Sequence, residues 1–254
     1  MQTITIENLD KPSYFLDEAY KTLRTNLAFC GKSVKVIAMT SCIPNEGKTS
    51  ISMNLCRTIA ESGKSVLFID ADMRKSVISG RYNLTGAVYG LSHYLSETKE
   101  LKDVLYQTNI NNFYMITSGP VPPNPSELLS NDVFKGMVSA AREKFDYIII
   151  DCPPIGSVTD AAVVSQVADG IALVLMDNEI SYKFAQDVKA QLEKTGVKIL
   201  GVIVNKVRIG KRRGYYGKYY GGKYYGKYYG RYYGKYYGKY YGNYYGKEEG
   251  GKKK

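Results

Sequence analysis

Over roughly the first two hundred residues, short and nearly continuous apolar runs alternate with longer stretches in which apolar positions recur every three or four residues. The runs are "VKVIAM" (34–39), "SVLFID" (65–70), "FYMIT" (113–117), "YIIID" (147–151), "GIALVLM" (170–176) and "VKILGVIVN" (197–205). Segments of this length, rich in Val and Ile, read as strands covered on both faces. Residues 48–62, 131–144, 158–168 and 181–195 carry helical spacing instead. Strand and helix therefore alternate, which predicts an α/β fold with a mostly parallel central sheet and helices on both faces. An amphipathic helix is also predicted at 13–29, where Leu16, Tyr20, Leu23 and Leu27 form one stripe. The proline-rich "GPVPPNPSELL" (119–129) predicts a surface loop leading into a helix begun near Ser126. No window approaches the roughly 20 apolar residues that span a bilayer, and "MQTITIENLD" lacks a basic region followed by an apolar run. The expectation is a chain that neither crosses nor enters a membrane.

After Ile209 the pattern stops. Sixteen of the 25 tyrosines fall in eight pairs: Tyr215 and Tyr216, Tyr219 and Tyr220, Tyr224 and Tyr225, Tyr228 and Tyr229, Tyr232 and Tyr233, Tyr236 and Tyr237, Tyr240 and Tyr241, Tyr244 and Tyr245. Glycine, lysine and arginine separate them, with no aliphatic residue to fill a core. Residues 211–254 are therefore expected to form a disordered tail behind a single domain of residues 1–210. The tail holds 13 of the 35 Lys and Arg and two of the 24 acidic side chains, leaving 22 of each sign in the domain. The domain is neutral overall, so a nucleic-acid-binding function is not expected of it. A nucleic-acid-binding tail remains an alternative, since basic and aromatic residues interleave there. Cys30, Cys42, Cys56 and Cys152 have neither zinc-site spacing nor the density of a disulfide scaffold, which suits a reduced, cytoplasmic protein.

Three motifs carry candidate chemistry. The first strand runs into "TSCIPNEGKTS", in which Pro44, Asn45, Glu46, Gly47, Lys48, Thr49 and Ser50 make a P-loop turn opening a helix, with Cys42 where the first glycine usually stands. Backbone N–H groups at such a turn bind phosphates, the lysine reaches the β and γ phosphates, and the hydroxyl ligates magnesium. "VLFIDADMR" places Asp70 at a strand end with Asp72 and Arg74 just beyond, and "YIIIDCPP" places Asp151 at another. A lone aspartate after a strand is commonly a cap or turn residue. Three such elements at the carboxyl ends of parallel strands point to a magnesium-nucleotide crevice.

These strings, in this order and followed by a tyrosine cluster, resemble the bacterial tyrosine kinases, in particular the soluble capsule and exopolysaccharide kinases of Gram-positive bacteria. The resemblance covers essentially the whole chain. It implies a P-loop NTPase-like domain using ATP and Mg2+, with Lys48 on the phosphates, and Thr49, Asp72 and Asp151 near the metal. Asp70 is the candidate base, with Asp72 as the alternative, and Arg74 serves phosphate charge or a contact between subunits. The sixteen tail tyrosines are the implied acceptors, reached from a neighbouring subunit. The opening helix resembles an E-x-x-R-x-x-R oligomerisation helix, here Glu18, Lys21 and Arg24 with lysine at the middle position, which implies a ring of identical subunits. A separate transmembrane activator, recruitment to the inner membrane face, further protein substrates and control of capsular or exopolysaccharide assembly are also implied. The tail's lysines are expected to be drawn to the acidic cluster of Asp70, Asp72 and Asp151, and released as phosphates accumulate.

The rival with the same fold is a partitioning or division-site ATPase, but its early P-loop lysine would align with Ile43. A phosphatase is not encoded, since no cysteine is followed six residues later by arginine and the only histidine is His93. That histidine is expected to be an exposed or partly buried helix residue, and Tyr14, Tyr82 and Tyr147 to be packing residues.

Overall fold

The computed structural model describes residues 2–9 and 12–207, and the tyrosine-rich tail lies outside the described residues. In chain order the elements are β1 (Gln2–Ile4), α1 (Tyr14–Phe29), β2 (Val36–Ser41), α2 (Lys48–Glu61), β3 (Val66–Asp70), α3 (Ile78–Arg81), α4 (Leu91–Leu95), α5 (Leu101–Val104), β4 (Tyr106–Thr108), β5 (Phe113–Ile116), α6 (Pro125–Ser130), α7 (Asp132–Lys144), β6 (Tyr147–Asp151), α8 (Asp160–Val164), β7 (Gly170–Met176), α9 (Tyr182–Glu193) and β8 (Ile199–Asn205). The strands make one sheet in the order β1-β4-β5-β3-β6-β2-β7-β8. Every pairing is parallel except β4 with β5.

Each central strand sends alternate residues to two cores. Val36 and Ala38 join Leu67, Ile69, Ile148 and Ile150 beneath Phe134, Val138, Val188 and Leu192 of α7 and α9. Ile37 and Met39 join Phe68, Ile149 and Val174 beneath Leu27 of α1 and Met53, Leu55 and Ile59 of α2. Burial on both faces is why these strands read as continuous apolar runs.

Two short strands were not legible. β1 and β4 are three residues each and partly polar, and their place is set by pairing, β4 with β5 and β1 with β4. β2 begins two residues later than its apolar run and takes in Thr40 and Ser41, both buried. Thr40 Oγ1 donates to Pro153 O and Ser41 Oγ to Ile43 O, which satisfies their hydroxyls inside the fold. The helix expected over 158–168 is α8 followed by a 3₁₀ turn at Ser165–Val167.

In α1 the stripe is only partly as expected. Tyr20 and Leu27 are buried but Leu16 is exposed, while Asp17 is buried against Arg57 of α2 through a 3.0 Å ion pair. Among the described residues no helix is long and apolar enough to cross a membrane.

Candidate functional site

The P-loop is the link between β2 and α2. Gly47 has φ of 91°, which favours glycine, and a Cβ there would stand 2.1 Å from Asn205 Nδ2 and displace that amide. α2 opens at Lys48 with no side-chain cap. The N–H groups of its first residues, Lys48, Thr49 and Ser50, point out of the helix without intrahelical partners, with the positive end of the helix dipole behind them. This is a ready anion cradle.

Lys48 and Thr49 face carboxylates from two other strands. Lys48 Nζ lies 3.2 Å from Asp151 Oδ2 and 3.4 Å from Asp72 Oδ2. Thr49 Oγ1 donates to Asp151 Oδ2 at 2.7 Å, and Ser52 Oγ donates to Asp151 Oδ1 at 3.3 Å. The register that pairs Asp70 with Asp151 across β3 and β6 brings these carboxylates together. Burial alone would lower the Lys48 pKa, but Asp151, Asp72 and Asp70 outweigh it and hold the ammonium charged above its ordinary value. Asp70 is pushed up to about 7, first by burial and then by the charge of Asp151, against the hydrogen bond from Ser76. Asp151 is also raised by burial, with Lys48 and Thr49 opposing.

A cleft of about 570 Å³ opens over the P-loop, walled by Pro44 to Ser50, Asp72, Arg74, Lys75, Arg81, Pro153, Pro154 and Lys206. Asp72 stands in this wall, whereas Asp70 and Asp151 lie behind it, each 1% exposed. The wall therefore presents more cations than carboxylates. The expectation that tail lysines are drawn to an acidic cluster is corrected accordingly: two of its three aspartates are buried and the lip is basic.

Arg74 is firmly placed. Its Nε and Nη2 donate to the two oxygens of Asp160 at 2.7 and 2.9 Å, and Nη2 donates to Ser126 Oγ at 2.9 Å. Asp160 is fully buried, so the loop after β3 is tied to α8 and α6. Arg81 Nη1 donates to Ser50 Oγ at 3.0 Å, and Lys206 Nζ donates to Asn45 O at 3.1 Å. Sequence reading missed Lys75, Arg81, Ser126, Asp160, Asn205 and Lys206. For Asn205 and Lys206 a signal existed, since "VIVNKV" ends a strand at the same sheet edge as the three motifs. Nothing local marks Ser126 or Asp160.

The α1 residues sit apart from the cleft. Lys21 Nζ pairs with Glu18 at 2.8 Å and Asp17 at 2.9 Å, and Arg24 Nη1 donates to Thr58 O at 2.8 Å. His93 is a partly buried residue of α4 whose Nδ1 accepts the N–H of Gly90. Tyr82 is buried, while Tyr14 is 58% exposed, which departs from a packing role for the latter. The sixteen candidate acceptor tyrosines lie outside the described residues.

Thr49, Asp72 and Asp151 offer hard oxygen donors beside the anion cradle, which suits Mg2+. Among the described residues no group of three or more His, Cys, Asp or Glu is placed to hold a metal ion by itself.

A P-loop at the carboxyl end of a parallel strand, facing aspartates from two neighbouring strands, defines a nucleotide-binding protein of the P-loop class. A family model described as an AAA domain matches residues 34–199. The tyrosine-protein kinase CpsD of Streptococcus agalactiae is 44% identical over 191 residues, covering 75% of this chain and 83% of that one. The solved kinase domain of the Escherichia coli tyrosine kinase ETK superposes with a TM-score of 0.76 at 35% identity, covering 82% of each chain. The septum site-determining protein MinD of Pyrococcus horikoshii, solved with Mg-ADP, shares the fold at a lower TM-score of 0.59 and 25% identity, covering 70% of this chain and 72% of that one. This chain belongs to the bacterial tyrosine-protein kinase family.

Proposed function

We propose that the protein is an ATP-dependent tyrosine kinase that phosphorylates its own C-terminal tyrosine pairs, between subunits, and so regulates capsular or exopolysaccharide assembly. The observation that carries the reading is the placement of Lys48, Thr49 and Asp72 around one anion cradle, with Asp151 in contact with Lys48 and Thr49.

In this reading the N–H groups of Lys48, Thr49 and Ser50 bind phosphate oxygens, and the Lys48 ammonium offsets charge on the transferred group. Thr49 and Asp151 would hold Mg2+, which would supply further neutralisation of the phosphates. The phenol needs a carboxylate within reach, and Asp72 is the one standing in the cleft wall. Asp70, rather than meeting the phenol, accepts the N–H of Asp72 at 3.2 Å and the Ser76 hydroxyl, and so orders the loop that carries Asp72. A carboxylate suffices as acceptor, because the loose transition state of phosphoryl transfer does not demand early deprotonation of the phenol. Arg74, clamped by Asp160, adds fixed positive charge beside the transferred group.

Transfer between subunits requires identical chains to associate so that the tail of one meets the cleft of another. Glu18, Lys21 and Arg24 are assigned to that association, and a separate transmembrane protein to activation. The test is incubation with Mg2+ and ATP, with and without the cytoplasmic segment of a candidate membrane partner, followed by phosphotyrosine mapping by mass spectrometry. Phosphate confined to the tail pairs supports the reading; ATP hydrolysis without any phosphotyrosine overturns it.

A further inference from the structure

The P-loop contains a second group of backbone donors, and the chain fills it with a carboxylate of its own. Glu46, one residue before Gly47, is 1% exposed. Its Oε2 accepts the N–H groups of Cys42 at 2.7 Å and Ile43 at 2.9 Å, while Oε1 accepts the N–H of Met176, at the end of β7, at 3.1 Å. Three backbone donors satisfy this buried carboxylate, and no side-chain cation among the described residues pairs with it. From the other side, Asn205 Nδ2 donates to Glu46 O at 2.8 Å. The same amide closes over Gly47. One residue is thus fixed by its side chain to β7 and by its carbonyl to β8.

Consecutive N–H groups in a turn make a concavity that takes an anion. Here the loop is divided. Its first N–H groups, at Cys42 and Ile43, are committed to Glu46, whereas those of Lys48, Thr49 and Ser50 at the helix start face the cleft. A loop already held in shape has less freedom to lose when a ligand binds, so affinity rises without a new contact.

We propose that Glu46 is a positioning residue for the nucleotide: its carboxylate sets the P-loop in its phosphate-binding shape in advance and ties that shape to the ends of β7 and β8. The inference rests on the nucleotide-binding reading above. It assigns the Glu46 side chain to bracing the loop that walls the cleft.

Glu46→Gln in the full chain tests it, because the amide keeps the volume but turns a donor toward backbone donors. ATP and ADP affinities are measured by calorimetry with Mg2+, alongside the Michaelis constants for ATP and for a tyrosine peptide. The expected result is nucleotide binding weaker by about tenfold or more, a matching rise in the Michaelis constant for ATP, and an unchanged one for the peptide. A purely structural role would lower the melting temperature without this split. A folded Glu46→Gln protein that binds ATP within about twofold of the native chain overturns the proposal, as does an equal rise in both Michaelis constants. Should Glu46→Gln not fold, Asn205→Ala carries the test, with an expected loss of about threefold in ATP affinity; unchanged binding overturns the proposal. A native chain that fails to bind ATP would instead remove the nucleotide reading itself.

Discussion

Thr49 Oγ1 and Asp151 Oδ2 are 2.7 Å apart, although 102 positions separate them in the chain. The first residues of α2 and the last residue of β6 meet because β6 lies beside β2, the strand that leads into the P-loop. That adjacency places a hydroxyl, a carboxylate and the Lys48 ammonium at one point, and the consequences of removing each part differ.

Lys48→Met should reduce tyrosine phosphorylation by about a hundredfold or more, the scale seen when a charge-stabilising donor is lost. Circular dichroism should show the fold retained, since the side chain serves the cleft and the carboxylates behind it and forms no part of either core. Phosphotyrosine at native levels in a folded variant would sink the assignment of Lys48.

Gly47→Ala should abolish ATP binding. The added Cβ would stand 2.1 Å from Asn205 Nδ2, and the φ of 91° is strained for any other residue. Combining it with Asn205→Ala removes the clash and leaves the strain of about 1 to 2 kcal/mol, so the double variant should recover measurable binding. Calorimetry on the pair of variants separates the two causes.

Asp160→Ala frees Arg74, whose side chain is 39% exposed and regains water when released. The stability loss is therefore expected to stay near 2 kcal/mol, below the roughly 3 to 5 kcal/mol of breaking a fully buried pair. Phosphorylation should fall further than stability does, because the cation in the cleft wall is no longer fixed. Urea unfolding and a peptide assay, run on the same preparation, compare the two losses.

Asp169 gives a pH-dependent test remote from the cleft. Burial tends to raise its pKa, but the N–H groups of Val36 and Lys35 and the Arg142 guanidinium, each at 2.8 Å, outweigh that and hold it below the ordinary value. A depressed folded value means a contribution fully present above the unfolded pKa of 3.8 and lost as pH falls through the folded one. Asp169→Asn should cost about 2 kcal/mol at pH 7, with the gap from the native chain closing below about pH 4. A gap that stays constant from pH 7 to pH 3 would contradict this.

Deleting residues 211–254 should remove the candidate acceptor tyrosines and leave ATP binding unchanged, since Lys48, Thr49, Asp72, Asp151 and the Lys206 contact to Asn45 are all retained. The truncated chain should still phosphorylate an added full-length Lys48→Met protein. Mass spectrometry of the mixture reads both outcomes, and failure of the truncated chain to bind ATP would give the tail a structural role.

The sequence alone determined the α/β class, the positions of the main strands along the chain, the P-loop and the three aspartates that accompany it. These were legible because they rest on local rules: a strand buried on both faces must be apolar throughout, and a phosphate turn needs glycine, lysine and a hydroxyl at fixed spacing. Tertiary structure decided which of the aspartates faces the cleft. Asp70 and Asp72 are two residues apart with the same side chain, yet one is buried behind Ser76 and the other stands in the wall. It also decided that Asp160 and Ser126 would hold Arg74, that Glu46 would turn inward, and that Asn205 and Lys206 would close over the loop. β1 and β4 depended on it too, being too short and polar to declare themselves without a partner. The physical reason is common to all of these: hydrogen bonds and burial at the site join residues far apart in the chain, and only strand order and register bring them within reach.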